Sequence, residues 1–143
     1  MARDAVPFQR SEGFGRWILI SSLVASIGGH GQSTYIAHKA AMEGFSRALA
    51  VEEGRHGITS NVVVPGFVDT ENMARNYTDA QREAFASCSV VGRRGRPEEV
   101  AHAVSFLADE RAGFVTGASI PVSGGAELNW WLVRSLRDAG EAR

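Results

Sequence analysis

The chain has a single cysteine, Cys88, in 143 residues. No internal disulfide can form, and the composition points to a reducing compartment, with the cytoplasm as the expected location. Cys88 lies in Ala86-Ser-Cys-Ser-Val90 without a neighbouring histidine or second cysteine, which favours an inert thiol over a nucleophile. No apolar run approaches the roughly 18–20 residues of a membrane-crossing helix. Met1-Ala-Arg-Asp4 also lacks the pattern of a secretory leader, so no membrane partner is expected. An excess of one charge is missing too: 15 Lys+Arg against 16 Asp+Glu leave −1, no footprint for nucleic acid. His30, His38, His56 and His102 share no metal-ligand spacing, so no metal is expected. Repeats and low-complexity segments are absent. What remains is a globular composition, 44% hydrophobic and 22% charged, at single-domain length.

The apolar pattern alternates between strand and helix. Residues 1–10 read as helix, and Gly13 and Gly15 as a turn. The run Trp17-Ile-Leu-Ile20 opens a buried strand over 17–22. A loop over 23–32 precedes a long helix over 33–55, with Gly57 at its C-terminal stop. Residues 58–64 are a second buried strand, ended by Pro65-Gly66. The connection over 67–91 holds a short helix, started by the capping box Thr78-Asp-Ala-Gln81. Pro97-Glu-Glu99 starts another helix, with Val100, Val104, Leu107 and Ala108 as its apolar stripe, and residues 119–123 form the third strand. The order βαβαβ, with helical crossovers, predicts three parallel strands. The helix over 33–55 carries Ile36, Ala40, Met42, Phe45, Leu49 and Val51 nearly all round its circumference. It therefore needs two buried faces. One covers the sheet; the other is expected to meet a second copy in a homo-oligomer.

One constellation carries chemistry. Tyr35 and Lys39 stand at i and i+4 on one helix face, and Ser22 closes the strand thirteen residues before the tyrosine. In open α/β sheets, ligands bind at the C-terminal ends of the strands. A free phenol, with a pKa near ~10, is a poor proton shuttle at neutral pH. A cation about 4 Å away contributes roughly 4 kcal/mol at an effective dielectric of about 20. That is worth up to about three pKa units at about 1.36 kcal/mol each. Tyr35 then exchanges a proton with a carbonyl or alcohol oxygen that Ser22 holds. Tyr-x-x-x-Lys alone is a weak signal; the serine, the strand and the loop Gly28-Gly-His-Gly31 strengthen it.

Five segments appear in order: Gly15-Arg-Trp-Ile-Leu-Ile-Ser-Ser22, Gln32-Ser-Thr-Tyr-Ile-Ala-His-Lys39, Asn61-Val-Val-Val-Pro-Gly66, Gly95-Arg-Pro-Glu-Glu-Val100, and Thr116-Gly117 with Gly124-Gly125. Together they resemble the second half of a short-chain dehydrogenase/reductase, nearest in pattern to 3-oxoacyl-carrier-protein reductases. The resemblance implies the C-terminal half of a Rossmann-like, doubly wound parallel α/β sheet over residues 1–125, with 126–143 as an extension. It implies an oxidoreductase moving hydride between NAD or NADP and a small carbonyl or secondary-alcohol substrate. Ser22, Tyr35 and Lys39 would be catalytic, with Tyr35 and Lys39 also against the cofactor ribose. Pro65-Gly-Phe-Val-Asp-Thr70 resembles the family's PGxxxT, which places Pro65, Gly66, Val68 and Thr70 at the nicotinamide carboxamide. The alternative for these residues is that Pro-Gly only punctuates a strand.

The family's TGxxxGxG phosphate loop has no counterpart before Ser22, nor has its catalytic asparagine. The chain thus resembles a family member without its dinucleotide-binding half, and weak or absent cofactor binding is expected. That leaves open a non-catalytic fragment serving as an assembly partner, or an incomplete product of a full enzyme's gene. Arg93, Arg94 and Arg96 are expected to pair in solvent with Glu98 and Glu99 rather than to hold phosphate. Met73, Tyr77 and Phe85 fall in the family's mobile lid and read equally well as pocket lining or as apolar anchors. Trp130, Trp131, Leu132 and Leu136 give the extension an apolar surface to bury.

Overall fold

The computed structural model describes residues 2–129. Three parallel strands form one sheet in the order β1 (Gly15–Ile20), β2 (Ile58–Pro65), β3 (Ser119–Val122). The register runs from Gly15 opposite Ile58 to Ile20 opposite Val63, then from Val62 opposite Ser119 to Pro65 opposite Val122. The helices are α1 (Ala2–Glu12), α2 (Val24–Ile27), α3 (Ser33–Glu53), α4 (Glu71–Asn76), α5 (Asp79–Cys88) and α6 (Pro97–Ala108). The parallel βαβαβ arrangement expected from the sequence is the one observed. Its boundaries differ slightly. β1 begins at Gly15 and stops at Ile20, so Ser22 lies just beyond the strand end. The loop expected over 23–32 contains the single turn of α2, and the connection over 67–91 holds two helices, α4 and α5. The extension beyond Asn129, with its two tryptophans, lies outside the described residues.

β2 is the middle strand, and Ile58 to Val64 are all buried. Such a strand needs cover on both faces, which suits the run Val62-Val-Val64, while Thr59, Ser60 and Asn61 are buried beside it. Both α3 and α6 pack against it, and Leu107 of α6 is fully buried. α3 was expected to be apolar on two faces, but its sheet-side residues include polar ones. Ser46, Leu49, Ala50 and Glu53 are buried, with Ser46 Oγ 2.9 Å from Ser60 Oγ on β2. Its outward side leaves Phe45 45% and Val51 87% exposed.

β1 is an edge, only half buried beyond Gly15. α1 braces it: Trp17 Nε1 donates to Gln9 Oε1 at 2.7 Å. Arg10 reaches α3 as well, donating to both carboxylate oxygens of Glu53 at 2.7 and 2.6 Å. Those bonds hold the Glu53 carboxyl below its usual range. Gly57 turns the chain from α3 into β2 at φ 75°, where a Cβ would lie 2.2 Å from Gly13 O. Only glycine fits there.

Candidate functional site

The C-terminal ends of β1 and β2 open onto a cavity of about 520 Å³, within the size range of small-molecule sites. Ser22, Gln32, Tyr35, Gly66, Thr70 and Met73 line it. Ser22 arrives there because β1 ends two residues earlier and the chain turns into α2; Ser22 O accepts from Ala25 N at 3.0 Å. Tyr35 comes from the first turn of α3 and is 47% exposed. Among the described residues, neither the Ser22 hydroxyl nor the Tyr35 phenol has a hydrogen-bond partner, which leaves both available to a ligand.

Lys39 stands one turn further along α3, behind the cavity wall. Its Nζ donates to Ile20 O at 2.8 Å, at the very end of β1, and lies 5.6 Å from the centre of the Tyr35 ring. The lysine thus sits between the strand end and the phenol's ring, at a greater range than the 4 Å used in reading the sequence. Ser21, pointing the other way, fixes α3 to the strand through Lys39 O at 3.1 Å and Glu43 Oε1 at 3.2 Å.

The segment after β2 divides. Pro65 accepts from Leu23 N at 2.9 Å and so ties the α2 turn to the end of β2. Gly66 lines the cavity and packs so closely on Ser123 that a Cβ would meet its Cα at 2.8 Å. Thr70 also lines it, and its Oγ1 accepts from Met73 N at 3.2 Å as the N-cap of α4. Val68 does not reach this cavity. It bridges Gly95 and lines a separate hollow of about 340 Å³ with Arg93, Gly95 and Glu99. That bridge uses Phe67 O and Asp69 N, leaving the N–H and C=O of Val68 itself outside it.

Of the three lid residues, Met73 and Tyr77 line the cavity, whereas Phe85 stands behind as a packing anchor. Its ring stacks on Phe67 at 4.6 Å and meets Tyr77 edge-on at 5.0 Å. The basic cluster is largely paired. Arg93 grips Glu99 at 2.8 and 2.6 Å, and Arg94 reaches Asp69 Oδ2 at 3.3 Å. Arg93, and then the Arg96 amide, bring the Glu99 carboxyl down to about 2. Among the described residues, no group of three or more His, Cys, Asp or Glu is placed to hold a metal ion, and no helix is long and apolar enough to cross a membrane. Several lining residues had no role assigned from the sequence, Leu23, Val24, Gln32, Thr34, Phe67 and Asn72 among them. Phe67 was an unspecified position of its motif, and Gln32 was quoted only as part of a pattern. The spacing of Gln32 from Tyr35, i to i+3, is the signal that places it on the same wall.

A model of the enoyl-(acyl carrier protein) reductase family matches residues 1–127. The 3-oxoacyl-[acyl-carrier-protein] reductase FabG of Pseudomonas aeruginosa is 51% identical over 116 residues, 81% of this chain and 47% of that protein. Its counterpart in Haemophilus influenzae is 46% identical, over 81% of this chain and 48% of the relative. Among solved structures, the TT0495 protein from Thermus thermophilus superposes with a TM-score of 0.80 at 33% identity, over 89% of this chain and 54% of its own. YwfH, an NADPH dependent reductase involved in bacilysin biosynthesis, gives 0.82 at 28%, over 87% and 52%. The chain spans about half the length of these relatives. With the parallel sheet, the cavity at its strand ends and the family match in agreement, the chain belongs to the short-chain dehydrogenase/reductase family, as a member similar to 3-oxoacyl-carrier-protein reductases.

Proposed function

We propose that this chain carries the proton-transfer and substrate end of an NAD(P)-dependent oxidoreductase that interconverts a small carbonyl compound and its secondary alcohol. The observation that carries the reading is the pair of unengaged hydroxyls, Ser22 and Tyr35, on one cavity wall with the Lys39 ammonium behind the phenol. Tyr35 donates its proton to the carbonyl oxygen as that oxygen gains charge, and takes one back in the reverse direction. Ser22 holds the same oxygen in line. Lys39 contributes positive charge beneath the ring and, in the bound state, a donor to the cofactor ribose.

The residues fit the nicotinamide end of the cofactor. Gly66 and Thr70 face the reaction cavity, whereas Val68 faces the separate hollow and keeps its own N–H and C=O outside the bridge to Gly95. When bound, the cofactor supplies the hydride. Pro65 sets the turn that presents these groups. For the phosphates the described residues offer no counterpart of the TGxxxGxG loop, so the 143-residue chain by itself binds either dinucleotide weakly. The two curated relatives and YwfH are reductases by name, which supports an enzyme over a purely structural assembly role. A homo-oligomer through the outward face of α3 and a cytoplasmic location complete the proposal.

The test is NAD(P)H oxidation with a generic ketone, using this chain alone and joined to a dinucleotide-binding half from a relative. Ketone-dependent turnover by the joined protein supports the proposal. A folded joined protein that binds the dinucleotide and reduces no ketone overturns it.

A further inference from the structure

The C-terminal end of α5 is finished by a residue far along the chain. Helix ends leave their last carbonyls without partners inside the helix. Here Asn129 Nδ2 donates to Ser87 O at 3.1 Å and to Cys88 O at 3.0 Å. Just beyond, Val90 N and Val91 N both donate to Gly124 O, at 2.9 and 3.3 Å, and Ser89 Oγ donates to the same oxygen at 3.3 Å. The segment after β3 therefore holds the end of α5. That helix in turn carries Phe85, whose ring stacks on Phe67 and meets Tyr77, two residues of the cavity wall.

Three apolar side chains stand exposed at this junction: Val90 at 55%, Val91 at 60% and Leu128 at 66%. They form one patch. A Cβ on Gly125 would lie 3.1 Å from Val90 Cγ2 and 3.9 Å from Leu128 Cδ1, and one on Gly124 would lie 2.8 Å from Val91 Cγ2. The patch runs into the hollow of about 340 Å³, which Val91, Gly124 and Gly125 also line.

The described chain stops at the edge of this patch. Asn129 is bonded to α5 itself, and the next residues are Trp130-Trp131-Leu132-Val133, with Leu136 further on. Consecutive Cα atoms are about 3.8 Å apart, so Trp130 and Trp131 start within about 8 Å of Asn129. A tryptophan side chain can bury about 150–250 Å². So short a tether makes the encounter with the patch intramolecular, at a high effective concentration that a separate molecule does not have.

We propose that residues 130–136 dock on the Val90, Val91 and Leu128 patch of their own chain and strap α5 down, so that the extension fixes the cavity wall formed by Phe67 and Tyr77. The strap acts through packing alone: Asn129 caps the helix, the apolar segment covers the patch, and Phe85 passes the restraint to the two wall residues. It does not depend on the chemistry proposed for Ser22, Tyr35 and Lys39.

The experiment records NOEs in the isotope-labelled 143-residue chain, with Trp130→Phe and Trp131→Phe assigning the indole signals. Contacts from the indole of Trp130 or Trp131 to methyl groups of Val90, Val91 or Leu128 are expected. They should persist when labelled chain is diluted into a large excess of unlabelled chain, which removes signals between copies. Amide exchange then measures the strap. Trp130→Ser with Trp131→Ser, and separately Val90→Asp, should each speed exchange in the C-terminal half of α5 by about tenfold or more, since burying one large apolar side chain is worth at least that. Both should shift the Tyr77 ring signals and leave the amides of β2 at their original rates. Absence of the contacts in the unmodified chain overturns the inference, as does unchanged α5 exchange in both variants or equal acceleration throughout β2. Contacts that vanish on dilution into unlabelled chain also overturn it, because the patch would then belong to a second copy.

Discussion

Asn61 is the most exacting test of how the sheet is held. It sits in the middle of β2 with 1% of its surface exposed, a polar side chain between Ser60 and the run Val62–Val64. Its Nδ2 donates to Val115 O at 2.8 Å, and its Oδ1 accepts from Ala118 N at 3.1 Å. One side chain thus ties the central strand to the segment that enters β3. Asn61→Val keeps a strand-forming residue of similar size but strands that carbonyl and that amide. Each buried orphan costs about 1–3 kcal/mol, so two cost about 2–6 kcal/mol. Burying the new methyl groups offsets about 1–2 kcal/mol. The expected net loss is about 3 kcal/mol, a large share of a typical stability of roughly 5–15 kcal/mol. Urea unfolding followed by circular dichroism measures it. The midpoint should fall with the slope unchanged, since the surface exposed on unfolding is nearly the same. A loss below about 0.5 kcal/mol, under the cost of even one orphan, would refute the bridging role. A changed slope would show that the native fold itself had altered.

Two further outcomes follow from surface features. Glu99, with its carboxyl lowered to about 2 from a reference of 4.5, adds stability that is fully present above the reference value and lost as pH falls through about 2. The gap in unfolding midpoint between the unmodified chain and Glu99→Gln should therefore be widest near neutrality and close with acidification; a gap that stays constant from neutral pH down to about 2 would contradict the pairing with Arg93. Phe45, 45% exposed on the outward face of α3, should anchor self-association, so Phe45→Asp should shift sedimentation toward monomer, whereas an unmodified chain that is monomeric at high concentration rules the interface out.

The elements were legible wherever one local rule dominated. The capping box at Thr78 forms as its sequence predicts, with Gln81 N on Thr78 Oγ1 at 3.3 Å and Thr78 N on Gln81 Oε1 at 2.9 Å. The valine run of β2 and the glycine stop at 57 were equally readable, because burial and a positive φ leave few alternatives. The burial pattern of α3 was not legible. Its buried Ser46 and Glu53 have partners, Ser60 and Arg10, that are distant in sequence, and helical periodicity says nothing about such pairs. At the site, the spacing of Ser22, Tyr35 and Lys39 was readable, whereas the separate hollow lined by Val68 depends on its bridge to Gly95, a contact invisible in the motif.

Tyr35 is where the site reading stands or falls. Tyr35→Phe keeps the ring, its packing and its distance from Lys39, and deletes only the proton donor. The measurement is steady-state ketone reduction by the chain joined to a dinucleotide-binding half, comparing the parent with Tyr35→Phe across pH, with unfolding midpoints as a control. A fall in turnover of about 10²–10⁴-fold with unchanged stability is the predicted result. Near-full turnover in Tyr35→Phe would contradict the mechanism, whatever family the chain belongs to.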